Sequence, residues 1–351
     1  MLVERGLINR ASRALDGILS PGPRVFVVTS RAIRKHWGRV LRKGLSKLAQ
    51  AVEVLEMPDG ERAKRLTELE KLAEQLVAKG ADRQSVIVAL GGGVVGDVGG
   101  FLASIYMRGV PVVQVPTTLV AQVDSAIGGK TGVNLVSGKN LLGTFHQPSS
   151  VLVDPDVLST LPEREYRSGL FEAMKYGVIR NSEIFELMER QRDRLLARDS
   201  KVLEKLIADC IQIKADVVSA DERERGERLI LNYGHTIGHA LEAETGYRHL
   251  LHGEAVGLGM IAVAKIGEAM DTGDPQTALR IRGLVQSYGP LPAVKVKPKN
   301  ILKRLMSDKK TVGGLPHFVL AKNIGEVAIV NDVPERVILD AVRELNQLAA
   351  G

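Results

Sequence analysis

The feature that most constrains this chain is an alternation, confined to its first half, between short β-branched runs and longer amphipathic ones. RVFVVTS (24 to 30), AVEVLEM (51 to 57) and SVIVALGGG (85 to 93) have the length and residue types of strands, the last running into glycines. The stretch from the first of these to about Ala49 reads as a helix, and so does ERAKRLTELEKLAEQLVAKG, which ends at Gly80. A further strand, VPVVQVP (110 to 116), follows a glycine-rich helix. Strands separated by helices of this length predict a parallel sheet with crossover helices. From about Pro155 the texture changes to long helical segments, broken by a hairpin pattern at HFVLAKNIGEVAIV (317 to 330). A single core seldom grows past roughly 250 to 300 residues. The 351 residues are therefore expected to divide into an α/β domain with a Rossmann-like parallel sheet (1-155) and a mainly α-helical domain (156-351), with a cleft between them.

Composition narrows the partners. Lys and Arg number 48 against 41 Asp and Glu, a net charge of +7. The bases are interleaved with acids (EREYRSG, ERQRDRLLARD, DERERGER), as on solvated helix faces, and aromatic residues for base stacking make up 4%. Small anionic ligands fit this better than nucleic acid. No apolar run approaches the roughly 20 residues of a membrane span. The start, MLVERGLINRASRALDG, reads as an amphipathic helix without the layout of a signal peptide. Cys210, in LIADCIQIK, is the one cysteine and has no intrachain partner, so the expected compartment is a reducing cytoplasm.

Three segments carry chemistry. In LGGGVVGDVGG (90 to 100), Gly91, Gly93 and Gly96 satisfy G-x-G-x-x-G between a strand and a helix, where backbone N–H groups can approach a pyrophosphate. A tight strand-to-helix turn would use the same glycines. The acid usual at the end of the next strand is missing, since VPVVQVP runs into Thr117 and Thr118; the exit of the preceding strand, MPDGERAK, offers Asp59 and Glu61 to a ribose instead. In VDSAIGGKTGVNLVSGKNLLGTFHQP (123 to 148), Gly129-Lys130-Thr131 imitates the end of a P-loop, but Asp124 stands where its first glycine belongs. There remain Lys130, Lys139 and Asn140, suited to phosphate or carboxylate oxygens, on either a binding loop or a surface hairpin.

The third is LNYGHTIGHALEA (231 to 243). His235 and His239 are four apart and share a helix face, which serves a metal or a packed core equally, and Thr236 replaces the glutamate of H-E-x-x-H. His252 and Glu254 open another helix at HGEAVGLGM, and Glu172 sits in the apolar stretch SGLFEAMKYG, where an unpaired charge is costly. Three ligands from three helices with an open position is the layout of a catalytic zinc site.

These segments, with PDGE (58 to 61), YMRG (106 to 109) and DKK (308 to 310), stand in an order that resembles the 3-dehydroquinate synthases over nearly the whole chain. The resemblance implies a phosphate-eliminating lyase of the shikimate pathway that uses NAD and a divalent metal, zinc in the first place and cobalt as the alternative. The substrate it implies is 3-deoxy-D-arabino-heptulosonate 7-phosphate. It gives the metal to Glu172, His235 and His252, and proton transfer to His239. NAD falls to Asp59, Glu61, Lys64, Gly93, Val94, Val95, Gly96, Asp97, Thr117, Thr118, Lys130 and Lys139. The substrate site takes Asp124, Lys130, Asn140, Lys175, Lys214, Arg228, Asn232 and His239, with His239, Lys130, Lys175 and Asp124 catalytic and one of Lys309 and Lys310 closing the site. Arg108 would reach the site of a neighbouring copy, which implies a homodimer.

Two departures stand out: the strand pair usual before the first NAD-domain helix is missing, and Phe171 precedes Glu172 where alanine is common. Arg228 lies seven residues before His235, so a helix running through both would aim its guanidinium at the metal face, with Lys214 adding a second cation for a carboxylate. Competing readings are another sugar phosphate cyclase such as a 2-deoxy-scyllo-inosose synthase, a metal-dependent polyol dehydrogenase, and a non-catalytic NAD-binding regulator.

Overall fold

Six strands form one parallel sheet: β1 (Leu2–Val3), β2 (Arg24–Ser30), β3 (Ala51–Met57), β4 (Val86–Gly91), β5 (Val112–Pro116) and, after a hairpin of β6 (Lys130–Leu135) and β7 (Gly138–Phe145), β8 (Ser150–Val153). The order across the sheet is β1-β8-β5-β4-β2-β3, with every pairing parallel. This is a computed structural model, and it describes residues 1–224, 226–307 and 316–348.

β2, β4, β5 and β8 are buried at nearly every position because both faces of the sheet are covered there, whereas β3, at the edge and carrying Glu53 and Glu56, is largely half-buried. Phe26, Val28, Ile87 and Ala89 point to one core and Val25, Val27, Val86 and Val88 to the other, the period-2 alternation of a strand. The helices of this part are α1 (Ala11–Ala14), α2 (Arg31–Ile33), α3 (Arg39–Leu45), α4 (Leu66–Ala78) and α5 (Gly93–Ile105). Between α2 and α3 the turn widens to a π-helix over Arg34–Gly38.

Two readings need correction. The N-terminal stretch is not one amphipathic helix: it holds β1, a 3-10 turn at Leu7–Arg10 and the four residues of α1. Asp154 ties that turn down, accepting from the backbone N–H groups of Gly6 and Ile8, each at 3.0 Å. The helix expected from Glu61 begins only at Leu66, so Lys64 lies in the turn before it. Where the sequence lacks the usual strand pair, a single two-residue strand stands, paired with β8 through Leu2 and Leu152.

The helical part comprises α6 (Glu163–Ile179), α7 (Ser182–Arg190), α8 (Arg192–Leu196), α9 (Ser200–Ala220), α10 (His235–Glu244), α11 (His252–Ala269), α12 (Pro275–Ser287), α13 (Pro298–Ser307) and α14 (Glu335–Leu348). An antiparallel hairpin of β9 (Phe318–Asn323) and β10 (Glu326–Val330) interrupts it where the sequence pattern placed one. By backbone packing the chain divides into residues 1–162 with 203–214, and residues 163–202 with 215–351. Among the described residues no helix is long and apolar enough to cross a membrane.

Candidate functional site

In the first unit the chain leaves β2 toward β3 on one side and β4 toward β5 on the other, so the sheet order reverses between β2 and β4. Ligands of open parallel sheets bind at the carboxyl ends of strands beside such a reversal. The glycine turn lies there, between β4 and α5. Its glycines serve close approach and not unusual dihedrals: a methyl group on Gly92 would come within 2.9 Å of Thr118 Cγ2, on Gly93 within 3.0 Å of Ser125 Oγ, and on Gly96 within 2.9 Å of Gln114 Oε1. The packing explanation of these glycines is therefore met, and the bare start of α5 that a phosphate could use is present as well. Val94 is half-buried and Val95 buried on that first turn.

Residues expected around NAD follow β3, β4 and β5 at the same ends of the sheet: Asp59, Glu61 and Lys64 after β3, Asp97 in α5 after β4, Thr117 and Thr118 after β5. Lys64 among them is 4% exposed. Its ammonium group bonds both the Asp97 carboxylate and the Asn140 side-chain oxygen. Burial raises the pKa of Asp97 while Lys64 pulls it back. Asn134, which no motif singled out, completes the network: its side-chain N–H donates to Glu61 at 2.7 Å and its oxygen accepts from Asn140 N–H at 2.9 Å. The β6–β7 register shifts at this residue, and Asn140 takes a left-handed conformation, φ 54°.

The segment read as loop or hairpin is thus a hairpin. Lys130 stands exposed at its start, with Lys139 half-buried and Asn140 near its far end. Asp124 sits on a π-helical turn, Ala121–Ser125, and pairs with Lys214 of α9 at 2.7 Å. Arg108 is exposed on a short turn where it and Met107 both have positive φ.

In the second unit, glycines again decide the geometry. Gly259 of α11 lies against Gly234, where an added Cβ would be 1.9 Å from the Gly234 carbonyl oxygen; Gly253 lies against Ser168 of α6, at 1.8 Å from its carbonyl oxygen. Three helix backbones thereby approach more closely than side chains allow, and Glu172, His235 and His252, one from each, converge. Phe171, buried beside Glu172, fits because the facing residue of α11 is Gly257, whose added Cβ would sit 3.1 Å from the ring.

His235 Nε2 and His252 Nε2 lie 3.4 and 3.1 Å from Glu172 Oε1, and Lys175 Nζ lies 2.8 Å from Oε2. Among the described residues neither Glu172 oxygen receives a hydrogen bond of good geometry, although the side chain is fully buried. Each histidine turns its Nδ1 to a group that can only accept, the Tyr233 carbonyl at 3.0 Å and the Glu242 carboxylate at 3.2 Å. Nδ1 therefore carries the hydrogen, and Nε2, which faces Glu172, is the nitrogen that could hold a metal. His239 closes the group: the three imidazole centroids are 5.3 to 5.8 Å apart and their ligand atoms lie within 4.8 Å of one another.

Burial raises the Glu172 pKa, but Lys175 and His235 outweigh it and hold the carboxyl well below its usual range. Burial lowers His235. It opposes a charge on His252 too, yet Glu172 and Glu242 push that ring up to about 10. A carboxylate and two imidazoles thus meet at one point, an arrangement that could hold a divalent cation. The donor set, one oxygen and two nitrogens with a third imidazole alongside, fits zinc or cobalt.

One sequence argument fails here. Arg228 lies in a 3-10 turn over Glu227–Asn232, and Gly234, with φ 76°, stands before α10, which begins only at His235, so no continuous helix joins Arg228 to His235. Arg228 is 1% exposed, its guanidinium donating to the Glu222 carbonyl and its backbone N–H to Asp221. Asn232 donates to Glu224 at 3.0 Å. Lys309 and Lys310 lie outside the described residues. Sequence reading also passed over Glu242, although His235, His239 and Glu242 follow one another at helical spacing.

A family model described as 3-dehydroquinate synthase N-terminal matches residues 54–168, and one described as 3-dehydroquinate synthase C-terminal matches residues 169–311. The 3-dehydroquinate synthase of Koribacter versatilis (strain Ellin345) is 53% identical over 349 residues, covering 99% of this chain and 95% of the relative. That of Solibacter usitatus (strain Ellin6076) is 50% identical over 343 residues, covering 97% and 95%. Among solved structures, the chain is similar to ValA, a 2-epi-5-epi-valiolone synthase from Streptomyces hygroscopicus subsp. jinggangensis 5008 with NAD+ and Zn2+ bound. The TM-score is 0.89 at 28% identity, over 99% of this chain and 96% of that one. A 2-deoxy-scyllo-inosose synthase complexed with carbaglucose-6-phosphate, NAD+ and Co2+ gives 0.83 at 31%, over 92% and 91%.

Proposed function

The chain belongs to the 3-dehydroquinate synthase family, and from that premise we propose how its own residues divide the work. It converts 3-deoxy-D-arabino-heptulosonate 7-phosphate to 3-dehydroquinate and phosphate, a phosphate-eliminating lyase reaction of the shikimate pathway. When bound, NAD supplies a transient acceptor for the C5 hydride, which returns within the turnover, and the divalent metal supplies Lewis acidity at the C5 oxygen.

Glu172, His235 and His252 hold the metal. Asp97 and Lys64 form the polar floor for NAD, with Asp59, Glu61, Thr117, Thr118 and Lys139 around it. His239 moves the proton lost from C6, which oxidation at C5 has made acidic, toward the departing phosphate. Lys175, buried beside Glu172, holds the C5 oxygen side of the substrate by its charge. Lys130, Asn140, Lys214, Arg228 and Asn232 bind its anionic groups, and Arg108 contributes from a second copy in a homodimer. The reaction takes place in the cytoplasm, a reading that the single buried Cys210 supports.

The observation that carries this is the meeting of Glu172 with two Nε2 atoms whose opposite nitrogens are committed to acceptors. The test gives purified protein, loaded with NAD and Zn2+ or Co2+, the heptulosonate phosphate or glucose 6-phosphate, and follows phosphate and NADH together. Phosphate from the former alone, without net NADH, is expected. Efficient cyclisation of glucose 6-phosphate would move the chain to the inosose-forming relatives, and accumulating NADH to the dehydrogenases. Glu172→Ala, His235→Ala and His252→Ala should each lose bound metal and turnover together; full metal occupancy in any of them removes that residue from the ligand set.

A further inference from the structure

We propose that Glu242 is the positioning residue of the metal centre, fixing through its carboxylate which nitrogen of His252 is presented to the metal. The inference rests on the metal reading of Glu172, His235 and His252. Glu242 is seven residues past His235 and three past His239 on α10, so all three lie on one helix face. It is 5% exposed, which a carboxylate tolerates only with a partner. Its Oε2 lies 3.2 Å from His252 Nδ1, while His252 Nε2 faces Glu172 at 3.1 Å. The ring is held from both sides.

The two histidines differ in this respect. His235 is oriented by a backbone carbonyl, that of Tyr233, which no substitution removes and which carries no charge. His252 is oriented by a side chain that also returns a negative charge to a site where Lys175 already competes with the cation. Carboxylates behind ligating histidines raise ligand basicity as well as setting the tautomer. Removing the Glu242 carboxylate should therefore weaken metal binding without changing which atoms coordinate.

The test uses the full chain, with Zn2+ and Co2+ as probes, and measures affinity by competition with a chromophoric chelator. Glu242→Ala should bind both ions roughly 10- to 100-fold more weakly. Glu242→Gln keeps the shape and an accepting oxygen but not the charge, so it should fall between that variant and the unaltered chain. The visible bands of the Co2+ form should keep their positions in both, whereas His252→Ala should shift them. Undiminished affinity in Glu242→Ala overturns the inference, and so do bands shifted as in His252→Ala, which would make Glu242 itself a ligand. Should Glu242→Ala fail to fold, affinity in Glu242→Gln equal to that of the unaltered chain overturns it instead. No binding of either ion by the unaltered chain would overturn the metal reading beneath it.

Discussion

Replacing Gly253 by alanine should damage the metal centre although the residue donates nothing to it. The added methyl would stand 1.8 Å from the Ser168 carbonyl oxygen and 2.6 Å from its carbon, whereas ordinary contact starts at 3.4 Å. The obstacle is backbone, so no rotamer change relieves it. Helices α6 and α11 must part by about 1.6 Å there, the difference between 3.4 and 1.8 Å, and the Gly253 N–H bond to Ser168 Oγ, 3.0 Å long, must stretch or break. Overpacking of this kind costs about 1 to 3 kcal/mol. At about 2 to 4 °C per kcal/mol for a unit of this size, the melting temperature should fall by roughly 2 to 12 °C. The separation falls between Glu172, one turn from Ser168, and His252, the neighbour of Gly253. Metal–ligand distances tolerate only about 0.2 Å. Zinc affinity, measured by chelator competition, should thus drop at least about 10-fold, in line with disturbed outer-shell support. Gly283 in α12 supplies the control, since nothing lies within 4 Å of its added Cβ. Gly283→Ala should raise stability by about 0.5 to 1 kcal/mol and leave metal affinity alone. Zinc binding by Gly253→Ala equal to the unaltered chain's, with an unmoved melting temperature, would show that the close approach of α6 and α11 does not set the ligand geometry.

Other expectations follow from the same contacts. His239→Ala should retain metal, by direct metal analysis, and lose about 10²- to 10⁴-fold in turnover, the usual loss with a proton-transfer group; departure of the metal with the ring would make His239 a ligand. Asp97→Ala leaves the Lys64 ammonium, 4% exposed, with Asn140 but no carboxylate, so NAD titrated by calorimetry should bind more weakly while the anionic substrate does not. Equal NAD affinity would return the glycine turn to a purely structural role. Chelation of the metal should lower the melting temperature by an amount that tracks free metal, reaching about 2.7 kcal/mol of lost stability relative to metal at 100 times its dissociation constant; a melting temperature indifferent to chelator would place no metal in the folded state.

The sheet was legible because its strands are buried on both faces, which writes continuous β-branched runs such as RVFVVTS into the sequence. Strand β1 was not, since two residues carry no period and their pairing with β8 depends on Asp154, some 150 positions away. The histidine spacing was legible as a helix face, and so were Glu172 and His252, which meet it from other helices. Glu242 escaped because an acid on a helix is read as solvated unless something reveals that its face is covered, and the covering ring, His252, comes from another helix.

Arg228 is the opposite case, a spacing whose meaning depends on one helix running through both residues. Counting seven residues back from His235 extrapolates one set of backbone dihedrals through LNYGH, and Gly234 at φ 76° breaks that continuity. The glycine was visible, and so was its usual meaning at a helix boundary. What the sequence did not reveal is why it stands there: a side chain at 234 would meet Val256 O and Met260 Cγ at 2.8 Å, so the same residue that ends the turn also lets α11 approach. The left-handed dihedral that throws Arg228 out of phase with His235 is thus a consequence of the packing that brings His252 to Glu172. The close helix approach that brings Glu172, His235 and His252 together comes with a break in the helix that would have aimed Arg228 at them. Any role of Arg228 toward a substrate carboxylate then depends on the 221–224 turn that now holds its guanidinium and backbone, and not on the phase of α10.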